Sequence, residues 1–241
     1  MCRAGSTRSG LIVAGTPRAI AREGTVRWPG TSAPADAECV AAVEQTARVL
    51  AAAGHHVEIA HPAAFDETER MTAFIPIWSA MAAASLIAIA RRIGRDVTPD
   101  DVEPLTWFLA ERGRETTGGE LLDALSSMGQ FARRFTQWWD DGWDLLLTPT
   151  LGELPPELGV LQTPKEPIAG FARGGTFTPF TPVANQTGQP AISLPVAQSA
   201  SGLPLGAHFI AAPGREDLLL QVAGLVERAL DWSHRRAPTH G

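Results

Sequence analysis

The chain has 241 residues and 25.6 kDa, with 44% hydrophobic and 19% charged residues, which is globular composition and excludes a disordered chain. Its net charge of −6 argues against the broad basic surface that a nucleic-acid partner requires. The two cysteines, Cys2 and Cys39, form no CxxC pair. This excludes a disulfide scaffold and a cysteine-based zinc site, and it favours a cytoplasmic location.

The first elements of the chain predict a crossover unit. Residues 1–30 are irregular, apart from a candidate strand at 11–14. A helix begins at Asp36 and ends before Gly54, because apolar residues recur between them at helical spacing. Alternation of polar and apolar residues at 56–60 predicts a half-buried strand. Strand, helix and strand would form a parallel crossover.

The middle of the chain is predicted to be helical, over 67–92, 99–113 and 117–140. The first helix includes an uncharged stretch at 71–90 whose length approaches that of a membrane span. Its many alanines, its serines and Pro76 favour a buried core helix instead. We therefore expect no membrane partner.

The last hundred residues predict a sheet with one covering helix. A short apolar run at 144–148 is typical of a strand buried on both faces. A proline-rich, loop-rich stretch at 149–190 follows, then strands at 191–196 and 205–211. A final amphipathic helix spans 215–231. Helices and strands together indicate an α/β fold.

Four polar groups are candidates for chemistry, and each has a simpler structural explanation. They are the histidines His55, His56 and His61, the acids Asp140, Asp141 and Asp144, the run 173–176 (RGGT), and the serine pair Ser126 and Ser127. Neighbouring strand residues point to opposite faces, so His55 and His56 cannot bind one metal ion together. Nothing fixes the separation of the acids, and no lysine follows RGGT as a phosphate-binding loop would require. The serines lie in a helix rather than at an exposed turn. The sequence predicts no metal site and no organic cofactor.

Four motifs near the C-terminal end resemble those of the amidase signature family. They are DLLLTPT at 144–150, FTPFTP at 177–182 leading into NQTGQPAISLP at 185–195, GLPLG at 202–206, and GREDLL at 214–219. Their order and spacing are similar to the family's, and the resemblance covers about 34–232. The helical middle and the segment 111–113 look most similar to the branch that contains 6-aminohexanoate-cyclic-dimer hydrolase.

The resemblance implies the fold and also what this chain lacks. Family members hydrolyse amide bonds with a Ser–cis-Ser–Lys triad, which lies in the N-terminal half around a GSSGGS-type stretch. This sequence has no such stretch, and its only lysine, Lys165, lies in the proline-rich loop. No catalytic residue is therefore carried over. The implied fold is a partial amidase-signature-type α/β fold, a mixed twisted sheet flanked by helices without its N-terminal catalytic half. Its expected divisions are 1–30, an irregular segment, and 31–241, the C-terminal part of the domain.

Three residues are implied to line the substrate side. Phe177 and Asn185 would lie in the loop that faces the substrate, and Trp78 would face the cleft. Core packing or turn capping are the structural alternatives for each. His208 departs from the family pattern, which more often has Gln at that position.

We therefore expect the C-terminal portion of an amidase-type hydrolase, inactive alone, whose full-length relatives act on small-molecule amides. One alternative is a non-catalytic binding module, or a subunit that complements a separately encoded N-terminal half. Another is an independent hydrolase that uses Ser193 or Ser127.

Overall fold

The computed structural model describes residues 13–14, 26–28, 31–33, 35–67, 69–161, 166–232 and 235. The strands are β1 (Val13–Ala14), β2 (Val26–Trp28), β3 (Thr31–Ala33), β4 (Leu145–Pro149), β5 (Ala191–Gln198) and β6 (Pro204–Ala211). The α-helices are α1 (Ala37–Ala52), α2 (Glu69–Ile93), α3 (Pro104–Glu115), α4 (Gly118–Thr136), α5 (Pro167–Phe177), α6 (Pro182–Thr187) and α7 (Glu216–Leu230). Short 3-10 helices occur at Ala63–Asp66, Pro99–Asp101 and Gln137–Asp141.

The main sheet has four strands in the order β1-β4-β6-β5. Strand β1 runs parallel to β4, with Val13 opposite Leu145, whereas β6 is antiparallel to both β4 and β5. Strands β2 and β3 form a separate antiparallel pair. The expectation of a mixed sheet is confirmed.

Helices cover the sheet with a hydrophobic core on each face. On one face, Leu147 and Phe209 pack with Val43 of α1 and Val222 of α7. On the other face, Leu146 and Ile210 join a second cluster, whose other members include Phe131 and Phe135 of α4 and Phe180 and Val183 around the start of α6. Alternate residues of β4 thus enter opposite cores, which confirms that the strand is buried on both sides.

The predicted strand at 56–60 is wrong, because only Val57 makes an isolated bridge there. The polar residues of this segment lie at the surface, where His56 stacks on Trp143 with ring centroids 6.4 Å apart. The parallel partner of β1 is β4 instead. Alternation at 56–60 did not predict the faces either, because Ile59 is 49% exposed.

Two helices, α5 and α6, lie in the stretch expected to be loop-rich. Each has proline at its first position, Pro167 and Pro182. Proline is favoured there because its fixed φ suits the helix and its missing N–H would have had no partner within the helix. The run 173–176, expected to form a flexible loop, lies inside α5.

Helix α2 is only partly buried, which modifies the expectation of a core helix. Its stretch Arg70–Ile93 is long and apolar enough to cross a membrane by length and composition, and 17% of its most apolar window is buried. One such helix is weak evidence for a span. Its C-terminal half packs on α3 through Leu86 and Ala110, whereas Met81 and Ile87 are exposed.

The crossing of α2 and α3 depends on one glycine. A Cβ atom at Gly113 would lie 2.0 Å from the carbonyl oxygen of Ser79 and 2.9 Å from the backbone nitrogen of Ala80. The contacts are with helix backbone, which cannot move aside as a flexible side chain would. The two helices therefore meet backbone to backbone at this point.

We expect Gly113→Ala to destabilise the chain by about 1–3 kcal/mol, because the new methyl group must push α3 away from α2. Gly129→Ala in α4 is the matched control, since a Cβ there meets nothing closer than a guanidinium nitrogen of Arg133 at 3.9 Å. Urea unfolding followed by circular dichroism measures both. Equal midpoints for the two variants would contradict the crossing described here.

Candidate functional site

Trp78 lies where α2 meets α5. Phe74 precedes it by one helical turn, and the two ring centroids are 5.8 Å apart. The ring of Phe171, on α5, lies 5.2 Å from the Trp78 ring at an angle of 52°. Trp78 is partly buried. These three rings, called here the aromatic wall, form an apolar surface contributed by two helices.

Phe177 is the last residue of α5, where the chain leaving β4 comes against this helix. Its carbonyl oxygen accepts a hydrogen bond of 3.0 Å from the backbone N–H of Gly152. A Cβ atom at Gly152 would lie 2.9 Å from both Pro179 and the carbonyl oxygen of Thr176. The end of α5 is thus held close to the loop that follows β4.

Asn185 is exposed on α6, between buried neighbours. The next residue, Gln186, points inward and donates from Nε2 to the sulfur of Met71 on α2, at 3.1 Å. Its Oε1 is buried without a hydrogen-bond partner. Helix α6 is therefore joined to the same helix that carries Trp78.

The structure thus brings the elements that carry the three predicted residues together around α2. Trp78 contacts α5 through Phe171, and α6 contacts α2 through Gln186. Among the described residues, no ring contact or hydrogen bond directly joins the side chains of Trp78, Phe177 and Asn185. Their contact with substrate stays a prediction. Sequence analysis missed Phe74, Phe171 and Gln186, although aromatic residues one turn apart in α2 were a readable signal.

A row of polar side chains crosses one face of the main sheet. Register places Thr148, His208 and Ser193 side by side on β4, β6 and β5. The Nδ1 atom of His208 lies 3.4 Å from the hydroxyl of Thr148, and the Ser193 hydroxyl pairs with that of Thr150 at 2.6 Å. Burial lowers the pKa of His208 to about 4, so its imidazole is neutral at pH 7.

Neither serine of the independent-hydrolase alternative has a basic partner among the contacts of the described residues. The Ser193 hydroxyl bonds to Thr150. Ser127 lines an open groove of about 600 Å³ between α2 and α4. The arginines of this groove are engaged, since Arg134 binds Glu67 and Arg70 donates to backbone carbonyls. A nucleophile needs a base within hydrogen-bond reach, and no hydrogen bond of the described residues joins either serine to one, although Glu120 and Asp123 line the same groove as Ser127.

Two of the three candidate histidines, His56 and His61, pair with neighbouring carboxylates, whereas both ring nitrogens of His55 are buried without a hydrogen-bond partner. No group of three or more His, Cys, Asp or Glu side chains in the described part of the chain could hold a metal ion. His61 bonds to Asp66 at 3.0 Å, while His56 lies near Glu58 and Trp143. What the described residues show at this site is apolar contact and the positioning of helices around α2.

The family model described as Amidase matches residues 23–220. This chain belongs to the amidase family. The match begins inside the segment 1–30, and the boundary between 30 and 31 stays a prediction.

Similar proteins support the family resemblance and its branch. The chain is 39% identical over 211 residues to 6-aminohexanoate-cyclic-dimer hydrolase of Pseudomonas sp. (strain NK87), covering 83% of this chain and 42% of that protein. It is 37% identical to the putative amidase AmiC of Mycobacterium tuberculosis (strain H37Rv), covering 80% of this chain and 40% of that one. A solved structure of 6-aminohexanoate cyclic dimer hydrolase superposes with a TM-score of 0.84 at 32% identity, covering 99% of this chain and 51% of that one.

The amidase resemblance and the α/β amidase-type fold are thereby confirmed. The chain spans about half the length of the relatives it matches. The match therefore places the fold of this chain within the family, and the activity of the whole relatives enters only as a proposal.

We expect stability to fall in acid because of His208. Its imidazole titrates near 6.5 when unfolded and near 4 when folded, so the unfolded state binds more protons between those values. The contribution of His208 to the free energy of unfolding is therefore fully present above about pH 6.5. It is lost as the pH falls toward 4, by roughly 3 kcal/mol in total. His208→Gln should flatten this decline.

Urea unfolding at several pH values between 4 and 7.5 measures the effect. His56→Gln, which replaces an exposed imidazole, is the control and should keep the original pH dependence. The same steep decline in His208→Gln and in the unchanged chain would contradict the role given to His208.

Proposed function

We propose that this chain is the substrate-facing, non-catalytic portion of an amidase-type hydrolase and does not hydrolyse amides alone. The observation that carries this proposal is the share of each chain that the superposition with a solved relative covers. The chain takes up the fold of a solved amidase relative over 99% of its own length but only 51% of that relative. Two features support inactivity: within the described part of the chain no hydrogen bond joins Ser193 or Ser127 to a base, and the sequence contains a single lysine.

The proposed substrate is a small-molecule amide with apolar carbon chains. The aromatic wall offers ring faces against which methylene groups can pack, and aromatic contacts are an efficient way to bury such groups. Asn185, exposed on the neighbouring helix, can donate to or accept from an amide. Phe177 ends the helix that carries Phe171. The names of the relatives point to the 6-aminohexanoate cyclic dimer as a first compound to test.

A subunit role is the second candidate. Coverage of half a fold favours a chain that completes a catalytic part, whether that part is joined to it or separate. The proposed location is the cytoplasm. Cys39 is a buried free thiol whose pKa burial raises to about 11, and a free thiol fits a reducing compartment. Such a thiol is inert and contributes packing rather than chemistry.

The test replaces the C-terminal part of the Pseudomonas sp. (strain NK87) hydrolase by residues 31–241 of this chain. We expect the purified chain alone to release no product from the 6-aminohexanoate cyclic dimer, and the fusion to hydrolyse it. In the fusion, Trp78→Ala should raise KM about tenfold with a smaller change in kcat, because it removes apolar binding surface.

Trp232→Ala is the matched control, since this ring stacks on Arg235 beyond the end of α7. Hydrolysis by the isolated chain at the rate of an enzyme would refute the inactivity proposal. A folded fusion without activity would refute the proposed role in amide hydrolysis. Equal KM values for Trp78→Ala and Trp232→Ala would remove Trp78 from the substrate site.

A further inference from the structure

The groove between α2 and α4, called here the α2–α4 groove, lies on the side of α2 that is turned away from the aromatic wall. Ala73 and Pro76 line the groove, whereas Phe74 and Trp78 belong to the wall. At about 100° per residue, these two pairs point in directions about 150° apart around the helix axis. The groove is therefore separate from the surface that is proposed to contact the substrate.

One end of the groove contains a buried arginine without an anionic partner. Arg70 is 8% exposed, and its Nη1 donates to the carbonyl oxygens of Phe65 and Glu67 at 2.7 and 2.6 Å. Its Nε is buried without a hydrogen-bond partner, and no carboxylate of the described residues forms an ion pair with it. Burial lowers the pKa of Arg70 to about 10, so the guanidinium stays charged at pH 7.

The acids that precede Arg70 in the chain are already bound to other residues. Asp66 bonds to His61 at 3.0 Å, and the carboxylate of Glu67 accepts two hydrogen bonds, of 2.6 and 2.8 Å, from Arg134. A buried charge without a counter-ion is costly. An anionic group bound in the groove would offset this cost for Arg70.

The other end of the groove is acidic. Asp123 lines it, is exposed, and forms no hydrogen bond or ion pair with any described residue. Glu120, one turn earlier in α4, also lines the groove, but its Oε2 accepts hydrogen bonds from the backbone N–H and the hydroxyl of Thr117. Asp123 is therefore the carboxylate that is available to a cationic group.

An uncharged stretch separates the two ends. The ring of Phe131 lies 5.7 Å from Cζ of Arg70, so this turn of α4 marks the basic end. Asp123 precedes Phe131 by eight residues, or about 12 Å along the helix axis. The groove is lined between the two ends by Ala73, Pro76, Ala124 and Ser127. It thus offers a cation, an uncharged middle and a carboxylate along its length.

We propose that the α2–α4 groove binds a linear ω-amino acid, with the ligand carboxylate on Arg70 and the ligand ammonium group on Asp123. A chain of about five methylene groups spans most of the distance between these side chains, and a hydrogen bond of about 2.8 Å at each end completes it. Ala73, Pro76 and Ala124 supply apolar surface for the methylene groups. A ligand with a single charge would leave one end of the groove unpaired.

The choice of 6-aminohexanoate as the probe rests on the proposed function. Hydrolysis of an amide adds water across the C–N bond, so the acyl carbon becomes a carboxylate and the nitrogen becomes an ammonium group. A cyclic amide, which carries no charge, thereby yields a linear chain with one charge of each sign. The groove pairs the charges of such a product and has no matching charge to pair in the cyclic substrate.

Isothermal titration calorimetry of the whole chain at pH 7 tests the proposal. We expect 6-aminohexanoate to bind at one site per chain. Hexanoate and hexylamine, which each carry only one of the two charges, should bind at least about tenfold more weakly, because one ionic contact is lost. The uncharged cyclic dimer should not displace 6-aminohexanoate.

Substitutions locate the site. Asp123→Asn should weaken the binding of 6-aminohexanoate about tenfold, whereas Asp100→Asn, the matched control at an exposed carboxylate outside the groove, should leave it unchanged. Arg70→Met should also weaken it. Because Arg70 is buried, circular dichroism must show that this variant folds, and the surface variant Asp123→Asn decides if it does not. Trp78→Ala should bind as the unchanged chain does.

Several results would overturn the proposal. Equal affinity for hexylamine or hexanoate and for 6-aminohexanoate would show that the groove reads one charge only. Equal binding by Asp123→Asn and Asp100→Asn, or absence of binding at millimolar concentration, would remove the site. Displacement by the cyclic dimer, or loss of binding in Trp78→Ala alone, would place the ligand at the aromatic wall instead.

Binding and hydrolysis separate this proposal from the proposed function. An active fusion with the Pseudomonas sp. (strain NK87) hydrolase, together with no binding in the groove, overturns the groove and keeps the proposed function. Binding that depends on Asp123, together with a folded but inactive fusion, keeps the groove and overturns the proposed function. If the isolated chain does not fold, the fusion that carries Trp78→Ala is titrated instead, and the same comparison of Asp123→Asn with Asp100→Asn decides.

Discussion

Burial of β4 on both faces is the constraint on which the rest of the fold depends. Five consecutive residues, Leu145–Pro149, are buried. Because successive side chains point to opposite sides, the strand requires one core above it and another below it. Helices α1 and α7 build one core, and α4 with the start of α6 builds the other. Its hydrogen bonds must also be met laterally, which β1 and β6 do on either side.

The sequence predicted the elements whose pattern is local. The apolar run of β4, the amphipathic stripe of α7 and the glycine after α1 each carry their own signal, and the mixed sheet followed from the family motifs. Sequence predictions failed where one local pattern is compatible with two different structures. Proline marked a loop by composition but opens α5 and α6, and alternation at 56–60 describes a surface segment as well as a strand.

The candidate site was predicted less completely, for a physical reason. Trp78 could be singled out from its family position, but its contact with Phe171 joins residues 93 positions apart and depends on how α2 packs against α5. The pairing of Arg173 with Glu153 is similarly non-local and links α5 to the loop after β4. Side-chain geometry between distant elements follows from packing, which no local pattern encodes.

The hydrogen bonds that the polar side chains of the main sheet already make bear on which part of the fold is reactive. A serine nucleophile needs a base that accepts its proton, yet the Ser193 hydroxyl is paired with that of Thr150, and the neutral imidazole of His208 contacts Thr148 instead. Hydroxyls that are hydrogen-bonded to each other can be buried without leaving a donor or an acceptor unpaired. Under the proposed function, this chain would position the substrate, and the reactive groups would come from the catalytic part of the fold.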